Sequence, residues 1–127
     1  MVHREIGGII EAVKNALNRL SVEREAQNTS LAADAEEDLC LESRTLFARY
    51  IDIVLWSGEF DKILFRRVEG AINASVEAVV ESHSEAAESI RLRSTEFQQF
   101  ARKHELRWQM KQSDKLLTGP HLSGKSR

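Results

Sequence analysis

The sequence predicts an all-α protein, and three observations carry that prediction. No proline, the strongest helix breaker, occurs between Glu5 and Gly119. Apolar residues recur at gaps of three and four along most of that stretch, the spacing that places them on one helix face. Six glycines and one proline in 127 residues are too few for an all-β domain with its many turns. We expect one domain over residues 1–117, a three- or four-helix bundle with one long, coiled-coil-like C-terminal helix.

Residues 4–26 form the first predicted helix, and a turn follows it. The turn is expected at Asn28, Thr29 and Ser30, which are weak helix formers and good helix caps. The apolar face of this helix consists of Ile6, Ile9, Ile10, Val13, Leu17 and Leu20.

Residues 30–56 form the second predicted helix, and Gly58 is expected to end it in a left-handed conformation. Trp56 is interpreted as an aromatic anchor at the end of its apolar stripe. Three acidic residues near the start favour the helix because its N-terminal end carries a partial positive charge. The apolar stripe consists of Leu31, Ala35, Leu39, Leu46, Phe47, Tyr50, Ile51, Val54 and Leu55.

Residues 59–117 are predicted as one long helix or as two helices separated by a break near Ser82. Ser82 and Glu85 have the spacing of a capping box, which favours a break there. Without the break, the segment would be a rod of about 90 Å at ~1.5 Å per residue. Such a rod needs a partner to cover its far end. The last residues, 118–127, are expected to be a flexible tail.

Beyond Val76 the apolar spacing approaches a heptad repeat, which predicts a coiled seam between helices. The seam is longer than the first two helices can cover, so it predicts a homodimer or a larger assembly. Seam histidines suggest either a pH-sensitive contact or partly wet positions. The proposed oligomer seam comprises Val76, Val80, His83, Ile90, Phe97, Ala101 and His104.

Charge is distributed unevenly although the net charge is only −2. The chain is acidic up to residue 90 and basic from residue 91 onward. A basic segment with aromatic residues predicts a partner-binding site, for which we select Arg102, Lys103, Arg107 and Trp108. Nucleic acid or an anionic membrane surface is the alternative partner for this segment. A solvated basic face on a packed helix is the simplest interpretation of the same pattern.

No residue pattern points to catalysis, a cofactor or a metal ion. Cys40 follows an acidic run, which does not favour a reactive thiolate, so we interpret it as a core or boundary residue. No Glu-x-x-His pair, as used by helical di-iron sites, and no glycine-rich phosphate loop followed by lysine occurs. We therefore expect no metal, no cofactor and no enzyme activity.

The motif Trp56-Ser57-Gly58 lies at a predicted turn between two helices and resembles the Trp-x-Gly signature of WXG-type small secreted proteins. That resemblance implies a helical hairpin that is exported as a dimer. The family's Tyr-x-x-x-Asp/Glu export signal follows its second helix, whereas the single tyrosine here, Tyr50, precedes the turn. The long helix with a basic end also resembles, as a class, the stalk proteins of bacterial flagellar and type III export machines.

The function expected from the sequence is a helical interaction protein: an oligomeric adaptor, a chaperone-like protein or a regulatory protein. A component or substrate of a bacterial secretion system is the further alternative. Glu11 interrupts the N-terminal apolar stretch too early for a signal peptide. The longest strongly apolar run, residues 53–56, is far shorter than a membrane span. We expect a cytoplasmic location.

Overall fold

A computed structural model describes residues 2–117, and side chains over 5–116. Four α-helices and no strand occur in this part of the chain, which confirms the predicted fold class. The helices are α1 (Val2–Glu25), α2 (Thr29–Ser57), α3 (Lys62–Ala78) and α4 (Glu85–Leu117). The predicted tail, residues 118–127, lies outside the described residues.

The first two helices form an antiparallel hairpin. Asn28 caps α2, and its Oδ1 accepts a hydrogen bond of 3.2 Å from the Leu31 N–H, as expected from its position. Gln27 takes a left-handed backbone with φ 58° between the two helices. Ion pairs join the helices at both ends, Arg24 with Glu36 and Arg49 with Glu5, so α1 and α2 pack along their length.

The second connection is a tight turn at Gly58. Gly58 has φ 70°, and its N–H donates to the Val54 carbonyl at 2.9 Å. This geometry confirms the predicted left-handed end of α2. Asp61 then caps α3, because its Oδ1 accepts from the Leu64 N–H at 3.0 Å.

The break near Ser82 is present, but the capping residue differs from the prediction. Ser84 is the cap of α4, and its Oγ accepts from the Ala87 N–H at 3.0 Å. The proposed Ser82–Glu85 capping box is therefore wrong. Ser82 instead donates its hydroxyl proton to Glu36 Oε1 at 2.9 Å, which ties the loop to α2.

The core lies between the four helices and is aromatic toward the centre of α4. Phe97 is fully buried, 5.3 Å from the ring of Tyr50 and stacked at 5.6 Å on Phe65. Such ring pairs add stability beyond the area that they bury. Cys40 is half-buried and packs against this core, so its assignment as a boundary residue is confirmed.

Candidate interaction surfaces

The predicted coiled seam does not exist as one continuous row. The loop between α3 and α4 interrupts it, and both Val80 and His83 lie in that loop with exposed side chains. On α4, Ile90, Phe97 and Ala101 are at most 2% exposed because they pack inside the chain's own core. These three residues are therefore not available to a second copy. A seven-residue spacing cannot distinguish packing within a chain from packing between chains.

The two outer members of the seam are only partly buried. Val76, near the end of α3, packs against the core. His104 donates from Nε2 to the Glu59 carbonyl at 2.9 Å, and its ring stacks on Phe100. His104 thus fastens α4 to the turn after Gly58.

Trp56 is not a core anchor, contrary to the sequence interpretation. Its side chain is 85% exposed, whereas Ile53 and Val54 occupy the last core positions of α2. Trp56 lies in the last turn of α2, where its side chain points to solvent. The Trp-x-Gly motif therefore presents its tryptophan to solvent beside a left-handed glycine.

The last part of α4, residues 102–117, is here called the basic end. Beyond Trp108 most of the side chains are exposed to solvent. Among residues 109–116, Gln112 is half-buried and the others are exposed. It carries five basic and two acidic residues. The cations of this end therefore exceed its carboxylates by three. The exposed apolar residues of the basic end are Leu106 at 53%, Met110 at 67% and Leu116 at 74%.

Two of the four predicted partner-binding residues line a cavity, and the other two do not. Arg107 and Trp108 line a cavity of about 220 Å³ together with Leu55 and Lys111. Trp108 is half-buried, and its ring lies 6.3 Å from that of Phe60.

A neighbouring cavity of about 500 Å³ shares Gly58, Trp108 and Lys111 with the first and extends to Lys115. Arg102 and Lys103 are exposed and line neither cavity. The structure therefore brings Arg107 and Trp108 together at one cavity, and Arg102 and Lys103 lie outside it.

The opposite end of the bundle contains a polar cluster that sequence reasoning missed. Glu36 is only 9% exposed. Its carboxylate accepts from Arg24 at 3.2 Å, from Ser82 at 2.9 Å and from the Ser84 hydroxyl. The signal in the sequence was its position, since Glu36 lies one turn before Leu39 on the core side of α2. An acidic residue there needs partners, because a buried carboxylate is costly unless hydrogen-bonded.

Arg91 of α4 binds the loop between α3 and α4 at this end of the bundle, called here the closed end. Its guanidinium donates to the carbonyls of Val79 and Ser82, each at 2.9 Å. The loop between α3 and α4 is thus held from both sides, by Glu36 of α2 and by Arg91 of α4. We find in these contacts a structural role, because every named polar atom is already occupied.

Tyr50 lies in the aromatic core, where its surroundings change its pKa. Burial raises the pKa of Tyr50 to about 12, and the charges of Asp61 and Glu105 contribute in the same direction. The phenol is therefore neutral at physiological pH, and nothing in its surroundings favours the phenolate. Tyr50 is a packing residue in the aromatic core.

The described residues contain neither a metal-binding cluster nor a membrane-spanning helix. No group of three or more His, Cys, Asp or Glu side chains there is placed to hold a metal ion. None of the described helices is long and apolar enough to cross a membrane.

Comparisons with known proteins add no assignment. They do not extend the resemblance at Trp56-Ser57-Gly58 beyond three residues and a turn. No family model, curated protein or solved structure matches this chain, so its function has to be inferred from its own residues.

Proposed function

We propose that this chain is a non-enzymatic protein-interaction module whose basic end recognises an acidic surface on a protein partner. The observation that supports this proposal is the excess of positive over negative side chains in residues 102–117. Five cations stand against two carboxylates, a surplus of three positive charges at one end of α4. Acidic side chains on a partner would supply the missing counter-charges and accelerate association.

Apolar exposure supports a protein partner in particular. Leu106 and Met110 are more than half exposed and lie one helical turn apart, so they share a side of α4. Lys103 precedes them on that side, and Arg102 lies beside it. Apolar anchors flanked by charge are the arrangement by which a helix face docks on another protein.

The same cations suit nucleic acid or an anionic membrane, the alternatives that the sequence suggests. A nucleic-acid footprint normally needs a broad basic surface. The charges here are confined to one helix end, and the net charge of the chain is −2. These facts favour a small acidic protein surface over a long polyanion.

The test is capture of host proteins on immobilised chain, in the presence of nuclease. We expect Arg102→Glu/Lys103→Glu to lose the captured proteins by at least about tenfold, because reversal removes the attraction that steers association. The matched control is Lys62→Glu/Arg66→Glu on α3, which makes the same change in net charge at two exposed cations.

Equal capture by the wild type and the basic-end variant would refute the proposal. Capture that nuclease abolishes, together with retention on heparin at low salt, would identify nucleic acid instead. Binding to vesicles of anionic lipid that salt reverses would identify a membrane surface.

A further inference from the structure

Helix α2 carries a second row of residues on the side away from the core. The row begins at Asp34 and ends at Leu55, and its members alternate at gaps of three and four. Leu41 is 55% exposed and Leu55 is 71% exposed. Alternation of three and four is the spacing of a helix–helix seam. The row, called here the outer stripe, consists of Asp34, Glu37, Leu41, Arg44, Ala48, Ile51 and Leu55.

The middle of the outer stripe borders a groove with a mostly apolar lining. Four members of the stripe line it from α2, together with Thr45 and the half-buried Phe47; these members are Leu41, Arg44, Ala48 and Ile51. The groove has a volume of about 380 Å³ and continues to Arg93 and Glu96 of α4. Two large apolar side chains and a small alanine therefore meet solvent at one place on α2.

The two ends of the outer stripe carry opposite charge. Asp34 and Glu37 are exposed at its start, and neither has an ion pair in the described part of the chain. At its other end, Leu55 shares a cavity with Arg107 and Lys111 of α4. The surface along the stripe is thus acidic at one end and basic at the other, and its middle is apolar except for Arg44.

We propose that the outer stripe binds the outer stripe of a second copy, antiparallel, about a two-fold axis level with Leu46. A two-fold contact requires a surface that complements itself. This register places Leu41 against Ile51 of the second copy, and Ala48 against its Arg44. Glu37 then lies level with Leu55 of the second copy, beside the cavity that holds Arg107 and Lys111.

Each element of the stripe finds a suitable counterpart in this register. Leu41 and Ile51 cover each other, and the small side chain of Ala48 leaves room for the long stem of Arg44. The acidic end of each copy meets the basic cavity of the other, twice per dimer. A parallel pairing would instead bring acid to acid and base to base, which costs free energy.

The proposed dimer and the test of partner recognition use different cations of the basic end. The dimer uses Arg107 and Lys111, which line the cavity beside Leu55, whereas Arg102 and Lys103 do not line it. Failure of the dimer would leave the proposed function untouched, and the reverse also holds.

The first test is sedimentation of the full chain at micromolar concentration. We expect a dimer for the wild type and an increase of at least about tenfold in the dissociation constant for Leu41→Asp, because the change buries an unpaired charge. Val22→Asp on α1 is the control, since Val22 is 53% exposed and Leu41 is 55% exposed. A wild type that stays monomeric, or equal weakening by both variants, would overturn the proposal.

The second test is a charge swap that checks the register. Glu37→Lys and Arg107→Glu should each weaken the dimer, and the double variant should regain association because opposite charges again meet across the axis. Circular dichroism of each variant confirms that the helices are intact. A double variant that is weaker than both single variants would exclude this pairing.

Discussion

The two halves of α4 form one continuous helix but have opposite surroundings. Residues 85–101 are capped by Ser84, held by Arg91 and buried through Ile90, Phe97 and Ala101. Residues 102–116 contact the rest of the bundle mainly through His104 and Trp108, and they expose cations and large apolar side chains. The first half stabilises the fold, and the second half presents a surface. A helix therefore changes its role along its length without any break in its backbone.

The strongest way to test this contrast is to truncate one apolar side chain in each half. Phe97→Ala should reduce the free energy of unfolding by about 3–5 kcal/mol, because it empties the middle of the aromatic core. Leu106→Ala, at an exposed position, should change it by less than about 0.5 kcal/mol. Urea unfolding followed by circular dichroism measures both values. Similar losses in the two variants would show that the second half is packed as well.

The stability of the packed half should depend on pH, because Tyr50 of α2 packs against its Phe97 and Phe100. Burial raises the pKa of Tyr50 to about 12, whereas an unfolded tyrosine titrates at about 10. Stability is therefore complete below about pH 10 and is lost as the pH rises toward 12, because the unfolded chain releases its proton first. Since the chain has one tyrosine, tyrosinate absorbance reports this group alone. A midpoint at the ordinary value would contradict its burial.

The closed end of the bundle, where α4 starts, depends on Glu36. Glu36→Ala should cost about 1–3 kcal/mol, because it leaves the Arg24 guanidinium and two serine hydroxyls without their acceptor. Glu37→Ala is the matched control at a neighbouring exposed position and should be nearly neutral. Thermal unfolding of the two variants under identical buffer conditions gives the comparison. If Glu36→Ala melts like the control, the cluster does not hold the loop.

Gly58, in the turn beside the basic end, has a left-handed backbone, whereas Gly70 lies within a helix. Gly58→Ala should cost about 1–2 kcal/mol, because φ 70° disfavours a side chain. Gly70→Ala lies within α3, where nothing occupies the space of the added methyl group. It should stabilise the chain by about 0.5–1 kcal/mol. Opposite signs in chemical unfolding are the expected result, and the same sign for both would rule out strain at Gly58.

The smallest effect is expected at Trp56. Because its side chain is 85% exposed, Trp56→Ala should change the free energy of unfolding by less than about 0.5 kcal/mol. A loss of several kcal/mol would instead restore the sequence interpretation of Trp56 as a core anchor. Guanidinium unfolding monitored by helicity avoids reliance on tryptophan fluorescence, which the substitution itself alters.

The helix boundaries were predictable because their signals are local. Asn28 and Gly58 end or begin helices through bonds to residues three or four positions away, so their neighbours in the sequence are sufficient. The cap of α4 was misassigned because Ser82 is engaged by Glu36, 46 residues earlier. No local pattern contains that contact.

The candidate surfaces were harder to predict for a related reason. Periodicity identifies the apolar face of a helix but not what covers it, so Phe97 was assigned to a seam between chains although it lies in the core. Trp56 was misplaced because α2 has apolar residues on two sides. Arg107 and Trp108 were identified from charge and aromatic content, but their shared cavity depends on the position of Leu55 in space.

The hairpin of α1 and α2 bears on the order in which the chain assembles. Its ion pairs, Arg24 with Glu36 and Arg49 with Glu5, lie within the first 52 residues, so the hairpin can close while the rest is still being synthesised. Tyr50 lacks its aromatic neighbours until Phe97 and Phe100 have been synthesised. During that interval the growing chain exposes apolar surface that chaperones recognise. Completion of α4 buries this surface against Phe97 and Phe100.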